Sequence, residues 1–415
     1  MPTEPAVATV ARALDNPRVR RILRFTIGVT LATAYSTYIN WPFSFLLPAL
    51  VIPFLALPIP SAPSLRYGLW ITTKLIAFAG LGTVLMLPLH SHQLFGFAVV
   101  ALILFVNFYL QAEGKITGLN GMIVIVGITL VPAFGESSMD MGVEFAKGMA
   151  QCALAMFPVL WVAFAAVPGG VFPRLPNAPR IEGTPADRAI LALRPVLVLM
   201  PLFAYMLSSD NNIRYLIGYY QPAMIAQHAR RANALKLTID LIMATLIGAT
   251  GGLIMWWLVK LWPSWFWFVL VMAMFSLFCA TRIFGHGPGA LTPNYYRWSY
   301  GLTTLVFIVF PDALTQGFTG DDANMKFYER IVDYALVTSY SVFAILLYDA
   351  VVDGLRACSR QTRRTASSMD SASSSTRARP ICGSTCRSSP ARAATRASLT
   401  SSSSSDQRKE STMAT

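Results

Sequence analysis

Apolar stretches separated by short polar turns fill the chain from about residue 22 to 352. They fall at 22–39, 43–59, 68–89, 94–110, 120–134, 145–167, 190–207, 213–228, 236–261, 264–281, 298–311 and 331–352. A tilted helix needs roughly 20 apolar residues to cross a hydrocarbon layer, and somewhat fewer when it is kinked or lies inside protein. The pattern therefore predicts an all-α, polytopic membrane protein of about 12 transmembrane helices. The stretches 120–134 and 298–311 are the shortest. Re-entrant segments at one or both would lower the count to eleven or ten.

Composition agrees with that medium. Hydrophobic residues make up 54% of the chain and charged residues 13%, with a mean hydropathy of +0.52, which is more apolar than a soluble domain of this size requires. The net charge of +13 is spread over turns instead of forming one compact basic face, so nucleic acid is not an expected partner. The basic residues fall on alternate turns. Of those up to Arg364, 21 lie on the side that holds the N-terminus, starting at Arg12, against Lys147, Arg214, Lys260, Lys326 and Arg330 on the other. Positive turns stay on the cytoplasmic side during insertion, which predicts that both termini are cytoplasmic and that the helix number is even. Lipid headgroups are the expected contact of these turns. The first apolar run follows an Arg-rich stretch and lacks a small-residue cleavage site, so it is read as a retained helix.

Two similar halves are visible. Arg24 of RILRFTIGV corresponds to Arg194 of LALRPVLVL, Pro48 of NWPFSFLLPAL to Pro222 of RYLIGYYQPAM, and Gly80 and Gly82 to Gly248, Gly251 and Gly252. Pro132 is set against Pro311 and Asp140 against Asp322. The expected organisation is a cytoplasmic segment 1–19, a six-helix repeat 20–167, a Pro/Gly-rich linker 168–189, a second six-helix repeat 190–352 and a disordered Ser/Arg-rich tail 353–415. Six is even, so the repeats insert in the same sense, with a pathway between them.

The runs RFTIGVTLATAYSTYINWPFSFLLP and SLRYGLWITTKLIAFAGLG, with their counterparts LRPVLVLMPLFAYML and YLIGYYQPAMIAQHARRANALKLTIDLIMATLIGATGG, carry a resemblance to the fusaric acid resistance and aromatic acid exporter superfamily over about residues 20–352. The resemblance implies a multi-pass efflux protein of the bacterial inner membrane that exports small aromatic or other organic acids beside a periplasmic adaptor of the membrane-fusion type. Larger members place a soluble domain between the halves. Here only the linker stands there, which puts the chain closer to a compact, uncharacterised branch.

Ionisable residues inside spans mark either buried partners or a wet path. Asp240 is the candidate for proton coupling, one helical turn past Lys236, with a static intrahelical pair as the alternative; Asp349, four residues before Asp353, is a second. Arg24, Lys74, Arg194 and Lys236 are candidate attractors for an anionic substrate, or snorkelling side chains. Trp41, Tyr220 and Gln221, near the kink prolines Pro48 and Pro222, could shape an aromatic cleft. His228 and His286 are weak signals. No Walker loop, HExxH or metal-ligand spacing is present; GHGPGALTP lacks the Lys and Ser or Thr of a phosphate loop. No cofactor is expected, and the chain is read as a non-enzyme. The expectation is a proton-driven exporter of small organic anions, assembled as a homo-oligomer or with an adaptor. A passive anion channel, or a membrane scaffold or enzyme acting on lipid-linked precursors, is the alternative.

Overall fold

The structure is a computed structural model that describes residues 16–168, 184–208, 234–286, 290–315 and 328–354, less positions 42, 58, 60, 330, 334 and 353. The chain divides into two units after Asp353, and the described residues lie in the first apart from Gly354. The expected span 213–228, most of the linker and nearly all of the tail fall outside the described residues.

Twelve apolar stretches were expected to give twelve spans. Seven described helices are long and apolar enough to cross a membrane, which makes the chain a multi-pass membrane protein. In chain order the helices are α1 (Pro17–Ile39), α2 (Leu46–Ala56), α3 (Leu65–Ser91), α4 (Gln93–Ala112), α5 (Gly118–Ile125), α6 (Val131–Ser137), α7 (Met139–Ala166), α8 (Pro185–Leu207), α9 (Ala234–Leu261), α10 (Trp265–Ile283), α11 (Tyr295–Thr315) and α12 (Ile331–Val352). The seven are α3, α4, α7, α8, α10, α12 and the 239–261 part of α9. The stretch 43–59 yields only the 11 residues of α2, about 16 Å of helix at 1.5 Å per residue, too short to cross alone. The stretch 120–134 is broken by a π-helical turn, Val126–Leu130, between α5 and α6. The first turns of α1 carry Arg18, Arg20, Arg21 and Arg24, which keeps it from reading as a uniformly apolar span.

Local chemistry sets the helix ends. Asn16 caps α1 by accepting from the Arg18 amide with Pro17 at the first position, and Asn40 closes it in the left-handed region, a conformation Asn tolerates. Ser64, Ser138 and Ser264 cap α3, α7 and α10. Thr184 and Asp187 form a reciprocal capping box on α8.

Packing links the early and late helices crosswise. The end of α10 lies beside the start of α1, where Arg18 donates to the carbonyls of Thr281 and Phe284. At the far end the Trp265 indole donates to Thr37 Oγ1 at 2.8 Å, so the two helices run antiparallel. In the same way α4 packs on α8: Phe97 stacks on Phe203, and Arg188 lies 4.0 Å from Glu113. Two parallel crossings depend on glycines. A side chain at Gly82 in α3 would collide with the Gly127 carbonyl, and one at Gly248 in α9 would collide with Thr304 and the Gly301 carbonyl. The core between these helices is apolar and rich in Phe, with Phe43, Phe134 and Phe145 in mutual ring contact.

Candidate functional site

Arg24, Arg194, Asp240 and Asp349, four of the charged side chains that the sequence singled out, lie toward the end of the bundle where α1, α8, α9 and α11 begin and α7, α10 and α12 finish. Two of the expected residues meet there. The Arg194 guanidinium, 2% exposed, reaches across from α8 to Asp349 of α12 at 2.7 Å. The same helix pair is tied by the Tyr348 hydroxyl, which donates to the Ile190 carbonyl at 2.6 Å, and by Tyr340 to Val198 at 3.3 Å.

Asp240 is buried near the start of α9, and its described partner is Arg297 of α11, at 2.5 Å. Arg297 was not among the candidate site residues. Its signal was available only as a lone cation at the head of a short apolar stretch, because a cross-helix partner leaves no trace in residue spacing. The side chain of Lys236, expected one turn from Asp240, lies outside the described residues. Such pairs are costly to bury and persist where both charges are satisfied together.

Arg24 is 4% exposed. Its guanidinium lies 4.1 Å from the centre of the Phe164 ring, and its Nε donates to the Val167 carbonyl at the end of α7, 3.1 Å away. Its Nη2 is buried with no hydrogen-bond partner, and no carboxylate is paired with it among the described residues. The other expected cation, Lys74, is half-buried, with Nζ 3.4 Å over the Trp70 ring.

The N-terminal arginines also organise the turn after α10. Arg18 Nη1 lies 2.8 Å from His286 Nε2, Arg21 donates to the Ala290 carbonyl at 2.9 Å and stacks on Phe284, and Phe284 bridges to Leu291. Gly285 and His286 of the GHGPG run belong to this turn, and the rest of that run lies outside the described residues.

Trp41 lines a groove of about 600 Å³ between α1 and α7, with Leu31, Tyr35, Ile39, Gln151 and Pro158 among its other walls. Tyr35 makes an edge contact with Trp41. Of the residues expected to shape an aromatic cleft, Trp41 is the one that lines this groove among the described residues. Pro48 does not reach it and occupies the first turn of α2, where a missing amide breaks no helical bond; the proline inside that helix is Pro53. Tyr220, Gln221, Pro222 and His228 lie outside the described residues. Cys152 and Cys279 are buried free thiols. Among the described residues no group of His, Cys, Asp and Glu could hold a metal ion.

No curated protein and no solved structure matches the chain. Residues 21–163, from the second turn of α1 almost to the end of α7, match a protein family described as a protein of unknown function, DUF2955. The chain is therefore a multi-pass membrane protein whose first third shares a pattern with that family, with two cross-helix ion pairs among its described helices.

Proposed function

We propose that this protein is a proton-coupled exporter of small organic anions in the bacterial inner membrane, similar to the aromatic acid exporters and built from two six-helix repeats in the same orientation. The observation that carries the transport reading is the pair of cross-helix ion pairs, Asp240–Arg297 and Arg194–Asp349, held inside an otherwise apolar bundle. Ionisable groups at such depth mark ion and substrate paths in membrane proteins. Protonation of Asp240 releases Arg297, and this exchange is the proposed coupling step.

Agreement between buried faces supports the repeat. The buried α1 residues Arg24, Phe25, Gly28, Val29, Ala32, Thr33 and Ser36 fall 170 positions before the buried Arg194, Pro195, Val198, Leu199, Leu202, Phe203 and Met206 of α8. Leu75, Ala79, Gly82, Leu85, Met86 and Leu89 of α3 precede Leu241, Thr245, Gly248, Gly251, Gly252 and Met255 of α9 by 166, all buried. Gly96, Val100, Leu104, Asn107 and Phe108 of α4 precede buried α10 residues by 172. The crosswise packing of α10 on α1 and α4 on α8 fits the same symmetry. A periplasmic adaptor and a second copy of the chain are the proposed partners.

The test is export of benzoate from proteoliposomes under an imposed pH gradient. Wild-type protein is expected to drive benzoate against its concentration gradient, and Asp240→Asn to retain downhill flux only. Flux that ignores the pH gradient in wild type identifies a passive anion channel and rejects proton coupling.

A further inference from the structure

We infer that Arg24 is the seat of a carboxylate-binding site, the place in the first half where the second half supplies its own carboxylate. The inference rests on the two-repeat reading. Arg24 and Arg194 stand 170 positions apart on equivalent buried faces, and each points at the last helix of its own half, Arg24 at α7 and Arg194 at α12. The buried faces of those two helices coincide at a spacing of 185: Ala153, Met156 and Leu160 of α7 fall against Thr338, Ser341 and Ile345 of α12, all buried. The same spacing sets Phe164 against Asp349. Where Arg194 meets a carboxylate at 2.7 Å, Arg24 meets an aromatic ring.

Among the described residues, that exchange leaves Arg24 without a counter-charge. A guanidinium carries five N–H donors, and Arg24 spends its Nε on one backbone carbonyl while Nη2 is buried and unpartnered. The carbonyl at the end of α7 contributes at most about half a negative charge. A second exchange acts in the same direction. The spacing of 166 between α3 and α9 puts Lys74 where the second half has Asp240, so the first half holds cations at both places where the second half holds a neutral pair. A desolvated cation of this kind is a strong anion site, because the bond formed is charge-assisted and little water competes.

The class of ligand follows from the matching position. A group that meets Arg194 is the side chain of an aspartate, so the group that fits Arg24 is a carboxylate of similar size. Phe164, 8% exposed, covers the guanidinium, and a rotation of its ring admits the ligand. The ring face then lies beside the bound carboxylate's substituent.

The probe is sodium acetate, titrated into detergent-purified full-length protein at constant ionic strength against sodium chloride, with the thermal unfolding midpoint as readout. Wild type is expected to gain a saturable rise with acetate that chloride does not give. Phe164→Asp, which places in the first half the carboxylate that the second half already has, is expected to unfold no earlier than wild type in chloride and to lose the acetate response. Arg24→Gln is expected to weaken apparent acetate affinity by about tenfold or more. A wild-type response equal to that of chloride, or one that survives in both Phe164→Asp and Arg24→Gln, overturns the site. Failure of benzoate export with the acetate response intact rejects the transport reading and leaves the site standing.

Discussion

Arg194 and Asp349 lie 155 positions apart in the chain and meet at 2.7 Å. Removing one partner of a buried pair strands the second charge, at about 3–5 kcal/mol, whereas replacing both with apolar groups is often neutral. Asp349 is one-fifth exposed, which places Asp349→Ala near the lower end, about 3 kcal/mol. Arg194→Met with Asp349→Leu is expected to recover most of that loss. Denaturant unfolding in mixed micelles measures both, and a double variant as unstable as the single one removes the pair from the account. At this scale the sequence disclosed which residues are ionisable and near a span, but not their partners. Asp240 was read against Lys236 because helical spacing is visible in a sequence; Arg297 comes from another helix, and only folding brings it near.

Helices α3 and α9 depend on their glycines unequally, and position along the helix determines which ones matter. A Cβ on Gly82 would overlap the Gly127 carbonyl, while one on Gly80, two residues earlier, meets nothing within 4 Å. Gly82→Ala is therefore expected to lower stability by about 1–3 kcal/mol through overpacking. Gly80→Ala is expected to be neutral or stabilising by up to about 1 kcal/mol, from helix propensity. Thermal unfolding of the two variants side by side checks the assignment, and equal losses would contradict the crossing at Gly82. Sequence reading grouped Gly80 with Gly82 because composition does not say which face of α3 meets a neighbour. It also aligned Pro132 with Pro311. Under the proposed repeat, the glycine crossings at Gly127 and Gly301 stand 174 positions apart, against 179 for the two prolines. The π-helical turn after Ile125 shifts residues around the helix there, and no local residue pattern announces such a turn.

For the whole molecule, alternation of charge along the chain predicts the topology. Lys115, in the turn after α4, and Lys147, in the early turns of α7, are both well exposed, at 64% and 60%, and the charge bias assigns them to opposite sides of the membrane. In intact cells a membrane-impermeant maleimide is expected to label Lys147→Cys at once and Lys115→Cys only after permeabilisation. The reverse pattern would invert the orientation and with it the direction of export. Native Cys152 and Cys279 are buried and add little background from the bundle.

The medium, the helical class and the places where basic residues collect were determined by the sequence alone, because insertion into a bilayer responds to local quantities: the length of an apolar run and the charge of the turn beside it. Which runs cross, which charges pair and which glycine carries a crossing were decided only by tertiary structure. Those outcomes depend on the facing surface of another helix, often more than a hundred residues away. Arg24 and Arg194 look alike in the sequence, and they differ in the fold because one meets a ring and the other a carboxylate.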